Sequence, residues 1–258
     1  MKPLFTLLLC CFITGVFAQT PQQIESDLLK SFKKIDYWNG KRGDTTLAAY
    51  DSLEKANDVF GKRLKRYCEK YPSTISNPFN SLVKEHMDIT NSTDGQFRIY
   101  SWDTWTGGTM HLFENVMQYR SGQKTVAVLD TPKSGDDYVN NYRKMYTFKA
   151  NNKSYYLTTY LIIGSTKDVA EGVHFFTIEN GKLQDAKLIK THSGLHSDLS
   201  YGYNFFSVVD IAYEKRPTIR FDSAASTIYL PLVDGDQNVT NKFILYKFTG
   251  RYFERVKN

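Results

Sequence analysis

From Asp94 to the C terminus the chain is a series of short aromatic and β-branched runs, each closed by residues that favour tight turns. Asp94-Gly95 precedes Phe97-Arg98-Ile99-Tyr100, and Asn151-Asn152 separates Tyr146-Thr147-Phe148 from Tyr155-Tyr156-Leu157. Asn180-Gly181, the strongest hairpin signal present, sits between Phe175-Phe176-Thr177-Ile178 and a run from Leu183 to Ile189. Asp222 to Ser226 separates Thr218–Phe221 from Thr227–Leu230, and Thr249-Gly250 joins Phe243–Tyr246 to Tyr252-Phe253. About twelve strands are expected, with no long helix between them, so the sheets should be antiparallel. The turn spacing is irregular, and about 165 residues are few for a propeller with blades near 40 residues each. Residues 91–258 are therefore expected to form an antiparallel β domain, and the fold class is mainly β (α+β overall). A sandwich or open barrel is preferred to a truncated propeller-like arrangement.

Residues 19–90 have a different texture and predict a helical hairpin. Thr20 and Gln23 form a capping box with Pro21 at the first helical position, where its missing N–H costs nothing. Ile24, Leu28, Phe32 and Ile35 then recur on one helical face, Trp38 extends the stripe, and Asn39-Gly40 ends it. After Lys41-Arg42-Gly43, Asp44 is the expected cap of a longer helix with a stripe of Leu47, Tyr50, Leu53, Phe60, Leu64, Tyr67 and Tyr71, stopped by Pro72. A third helix is expected from Pro78 to Met87, capped by Asn77.

The first eighteen residues read as a leader. Lys2 supplies a basic start, Leu4 to Phe17 is an apolar run too short for the ~20 residues of a membrane span, and Val16 and Ala18 fit a cleavage site after Ala18. Cys10 and Cys11 lie in mid-run, where a lipidation signal would not place them. Cleavage leaves Cys68 alone, so no internal disulfide can form. A secreted or periplasmic protein of bacterial type follows, and the sequons at Asn91, Asn152 and Asn238 then carry no glycans. The charge of +6 is spread along the chain. Its densest cluster, Lys62, Arg63, Lys65 and Arg66, reads as a solvated helix face, and no nucleic-acid module accompanies it. Neither a nucleic-acid partner nor a stable membrane span is expected.

Two stretches could carry chemistry. In the first, Phe97 to His111, Trp102 and Trp105 could stack on a flat ligand, with Asp103, Arg98 and His111 beside them. The competing reading is a hairpin whose tryptophans plug the core. The second runs from Thr191 to Asn204 and contains His192, His196, Asp198, Tyr201 and Tyr203 on a polar loop. His192 and His196 have the spacing of a helical zinc pair, but Gly194 lies between them and no Glu follows His192. Asp234-Gly235-Asp236-Gln237-Asn238 mimics a calcium loop but has Val239 and Leu245 where that loop needs Gly and Glu, so it reads as a hairpin loop. No G-x-S-x-G, Cys–His pairing or phosphate loop occurs, and neither metal nor cofactor is expected.

The run Phe97-Arg98-Ile99-Tyr100-Ser101-Trp102-Asp103-Thr104-x-Thr106-Gly107-Gly108-Thr109-Met110-His111 resembles a stretch found in exported bacterial proteins of unassigned function. Thr218–Asp222 and Thr227–Leu232 are similar to their C-terminal part. The resemblance implies export and supplies no catalytic residues. The expected function is a soluble, non-enzymatic binding or interaction module, with glycan or cell-envelope material as the ligand class. One alternative is a secreted hydrolase using Asp103, His111, His192 or Asp198 as acid and base. The other is a structural envelope component.

Overall fold

The computed structural model describes residues 19–256 apart from 45, 47 and 133–137 and the side chain of Tyr213. The leader and Leu47 lie outside the described residues. Helix α1, Pro21–Asn39, has the expected capping box: the Gln23 N–H donates to Thr20 Oγ1 at 3.2 Å, and the Thr20 N–H donates to Gln23 Oε1 at 2.8 Å. Helix α2, Ala49–Lys70, starts later than the sequence predicts. The Asp44 carboxylate accepts from the Thr46 backbone and hydroxyl at 3.0 and 2.6 Å, which makes a local turn instead of a helix cap. Tyr50, placed on the apolar stripe by spacing, points outward at 50% exposure.

The two helices are antiparallel. Asp27 of α1 pairs with Arg63 at 2.9 Å and accepts from the Tyr67 hydroxyl at 2.7 Å, while Phe32 meets Phe60 at 5.0 Å. Helix α3 spans only Asn80–Lys84 rather than Pro78–Met87. Phe79 is fully buried against Tyr100 and takes a φ of +48°, which prevents an earlier helical start.

Strands β1 (Asp88–Asn91), β2 (Phe97–Asp103), β3 (Phe113–Ser121) and β4 (Lys124–Asp130) form a first antiparallel sheet in that order. The sequence suggests one more apolar face on β2, yet both faces are buried. Tyr100, Trp102, Val116 and Ala127 pack on the helices, while Phe97, Ile99, Met117 and Tyr119 pack on a second sheet. That sheet contains β5 (Asn141–Ala150), β6 (Lys153–Ile163), β7 (Asp168–Glu179) and β8 (Lys182–Asp185). Asn180 and Gly181, at φ +51° and +72°, close the predicted hairpin between β7 and β8.

The expected continuous strand from Leu183 to Ile189 is broken. Ala186 and Leu188 are buried between sheets as the chain crosses to β9 (Ile189–Thr191), which pairs with β10 (Gly194–His196). Strand β11 (Asp198–Asn204) returns to the second sheet, giving the order β11-β7-β6-β5 with β8 beside β7. Strands β12 (Arg220–Asp222), β13 (Thr227–Val233), β14 (Val239–Phe248) and β15 (Phe253–Arg255) complete a third sheet, β10-β9-β15-β14-β13-β12. The β15–β9 pair is parallel, an exception to the expected antiparallel pattern. The loop from Asp234 to Asn238 is a hairpin turn, with Asp234 Oδ1 accepting from the Asp236 and Asn238 amides at 3.0 and 2.9 Å.

Helices, first sheet, second sheet and third sheet thus stack in succession, joined by cores on both faces of the two inner sheets. Among the described residues the sheets are open, so a sandwich-type α+β architecture holds and a closed barrel does not. Among them, too, no helix is long and apolar enough to cross a membrane.

Buried polar groups lock the helices to the first sheet. Gln118 Nε2 and Thr125 Oγ1 donate to the Cys68 carbonyl at 2.8 and 2.7 Å, satisfying the end of α2. Arg98, 1% exposed, donates to the Thr74 carbonyl at 2.7 Å and lies over the Phe79 and Tyr100 rings. Burial pushes the Cys68 thiol up to about 12, so this free cysteine is unreactive.

The Glu114 carboxyl on β3 is pushed up to about 7, first by burial and second by the nearby Asp58 charge. Its folded form binds the proton more tightly than the unfolded chain does. The resulting stabilisation is full below the ordinary glutamate value and is lost as pH rises through about 7. Glu114→Gln should therefore be about 2 kcal/mol more stable than the parent at pH 8 and nearly equal near pH 4.5. Urea denaturation at the two pH values checks this. Equal stability at pH 8 would contradict it.

Candidate functional site

A cleft of about 620 Å³ opens on the second sheet. Its floor comes from three adjacent strands whose register puts the same face toward the cleft. Leu161 of β6 lies opposite Glu171 of β7, and Ile163 lies opposite Val169, which in turn faces Tyr203 of β11. Thr159 extends the floor toward β5. On that side the register slips between Tyr142 and Lys144, a bulge that brings both Arg143 and Lys144 to the cleft. Phe205, Glu214, Arg216 and Ile219 line the cleft from the segment that leaves β11.

The wall nearest the first sheet is the loop after β2. The His111 N–H donates to the Ile163 carbonyl at 3.0 Å, which ties the loop to the end of β6. His111 Nδ1 lies 2.5 Å from Asp103 Oδ2, and Asp103 Oδ1 accepts from the Trp105 N–H at 2.9 Å. This contact engages Nδ1 and leaves Nε2 as the ring nitrogen not held by Asp103. Trp105 takes a φ of +57°, a strained conformation held by Arg42, whose Nη1 donates to the Trp105 carbonyl at 2.7 Å. Gly107 makes the tight return possible, because a Cβ there would lie 2.0 Å from the Met110 carbonyl oxygen.

Glu171 is the most heavily bonded group of the floor. Its carboxylate accepts from the Tyr201 and Tyr203 hydroxyls at 2.9 and 3.1 Å and from the Ile219 N–H at 3.2 Å. Burial, and then the Glu171 charge, raise the Tyr201 phenol far above its ordinary value, so it stays a proton donor to that carboxylate. This bonding pins the segment at Ile219 across the sheet and stacks the Tyr201 and Tyr203 rings 5.4 Å apart.

The two sequence stretches therefore meet: His111 from the first and Tyr203 from the second line one cleft, with Asp103 behind His111 and Tyr201 bonded to the floor through Glu171. The other sequence candidates lie elsewhere. Trp102 is no stacking platform: it is 1% exposed, meets Phe60 edge-on at 5.1 Å and donates from Nε1 to Asn57 Oδ1 at 3.1 Å. Trp105 is 36% exposed, beside His111 but not among the lining residues. His192 and His196 lie on the β9–β10 segment, where His196 Nε2 contacts Ser193 Oγ at 2.9 Å, so their spacing is not that of a helical pair. Asp198 is exposed at the start of β11.

Sequence reasoning missed Arg143, Lys144, Glu171 and Arg216. A carboxylate in the middle of the run from Val169 to Ile178 was a readable signal for Glu171. No family model matches this chain, and no curated protein matches it significantly.

Proposed function

We propose that the protein is an exported binding protein that holds one small ligand in the cleft over its second sheet. The observation that carries this reading is the convergence of His111 and Tyr203 on a cavity of about 620 Å³ whose lining mixes apolar side chains (Leu161, Ile163, Val169, Phe205, Ile219) with polar and charged ones, Glu171 among them in the floor. Size and lining are those of small-molecule sites. The leader read in residues 1–18 supports export, and an unreactive lone Cys68 suits an extracytoplasmic chain that folds without disulfides. The glycan reading relied on a Trp102–Trp105 platform, and burial of Trp102 removes half of it.

The neutral fluorophore N-phenyl-1-naphthylamine tests the site. It should bind the parent saturably with one-to-one stoichiometry, and Leu161→Trp, which fills the floor, should weaken binding at least about tenfold. Equal binding to both proteins would refute the reading.

One observation favours hydrolysis as a second reading: the Asp103–His111 pair has the geometry of an oriented general base beside a cleft. Hydrolysis of p-nitrophenyl butyrate separates the two. A rate at solvent background in both the parent and His111→Gln supports binding alone. A parent rate that falls about a hundredfold in His111→Gln supports catalysis.

A further inference from the structure

We infer that the ligand is an amphipathic anion of the aliphatic carboxylate class. Its apolar chain lies on Leu161, Ile163 and Val169, and its charged end meets Arg143 and Lys144. The inference rests on the binding reading above and adds the chemistry of the ligand.

The first support is the bulge on β5. Successive residues of a regular strand point to opposite faces, so two adjacent cations would ordinarily be split between the cleft and the layer behind it. The slip after Tyr142 puts Lys144, rather than Arg143, opposite Thr159 of the floor, while Arg143 still borders the cavity. Two like charges are thus gathered at one lip, an arrangement unfavourable for the free protein and favourable once an anion binds.

The second support is what these cations lack. Lys144 has no ion pair among the described residues. The Arg143–Asp88 ion pair, Nε to Oδ2 at 3.6 Å, is beyond hydrogen-bond distance, so the guanidinium can still make the forked contact with a ligand carboxylate. The cleft's own carboxylates do not compete at this lip. Glu171 is occupied by two tyrosine hydroxyls and a backbone N–H, and Glu214 comes from the segment that follows β11 rather than from β5.

The third support is the floor. Leu161, Ile163, Val169, Phe205 and Ile219 offer a ligand hydrocarbon contact, and of the polar groups beside them Glu171 and Tyr203 are already bonded to each other. A sugar would lose water from its hydroxyls against the apolar side chains, whereas an alkyl chain gains by the same contact. The net charge of the full sequence, +6 with Lys2 of the leader included, also favours an anion over a cation near the protein.

Displacement of bound N-phenyl-1-naphthylamine by decanoate, 1-decanol, decyltrimethylammonium and acetate tests the inference on the intact protein. Decanoate should displace the probe at least about tenfold more tightly than decanol, and acetate should not displace it. The doubly substituted Arg143→Gln, Lys144→Gln protein should lose that preference, its affinity for decanoate falling at least about tenfold more than its affinity for decanol. Single Lys144→Gln, at an exposed position, should lose part of it and serves if the double variant is unstable. Equal displacement by decanol, an unchanged preference in both variants, or tightest displacement by decyltrimethylammonium overturns the anion assignment and leaves the cleft as a binding site. Probe binding that is equal in the parent and Leu161→Trp overturns both.

Discussion

Phe60→Ala should lower the unfolding free energy by ~3–5 kcal/mol, whereas Lys62→Ala, two residues on, should change it by less than ~0.5 kcal/mol. Phe60 is fully buried, 5.0 Å from Phe32 on α1 and 5.1 Å from Trp102 on the first sheet. Its ring is the place where the helical pair and the β layers share one core, so truncation opens a cavity bounded by three elements that cannot all collapse onto it. Lys62 pairs with Asp58 across one turn of the solvent face at 2.6 Å, a contact of small net worth. Chemical denaturation of both variants measures the difference. A Phe60→Ala protein of unchanged stability that has lost self-association would mean that the helices are an interaction arm instead of part of the body.

Asn57→Ala should cost ~2–4 kcal/mol, a large effect for the loss of so small a side chain. Asn57 is 3% exposed and fully bonded: Oδ1 accepts from Trp102 Nε1 at 3.1 Å, and Nδ2 donates to the carbonyls of Leu53 and Thr104 at 3.0 and 2.9 Å. Removing it strands an indole N–H and a loop carbonyl away from water, and an unmade buried hydrogen bond costs more than a made one contributes. The Thr104 carbonyl begins the loop that carries His111, so the same variant should bind a cleft ligand more weakly than the parent. Urea melts and probe titration of Asn57→Ala check both parts. A loss below ~0.5 kcal/mol would show that the network is not structural.

Local features were readable because their physics is local. The Thr20–Gln23 box and the Asn180-Gly181 hairpin depend on residues within one turn of each other, and both stand where the sequence puts them. Asp44 shows the limit of such reasoning: an aspartate before an apolar stripe can cap a helix or bond to Thr46, and the structure takes the second course. Trp102 could not be assigned from β2 alone, since what hides it is α2, more than forty residues earlier. The cleft was least legible. Its floor needs β6, β7 and β11 in register, and its cationic lip needs a bulge at Arg143, whose position depends on the pairing with β6.

The most direct measurement follows the ring signals of the five histidines by NMR as decanoate is titrated into the protein. His111 should shift saturably, in step with the Tyr203 ring, because both line the cleft. His192 and His196, on the separate β9–β10 segment, should stay in place. Shifts at His192 and His196 with His111 unmoved, or no shift at any histidine at millimolar decanoate, would contradict the assignment of the cleft as the ligand site.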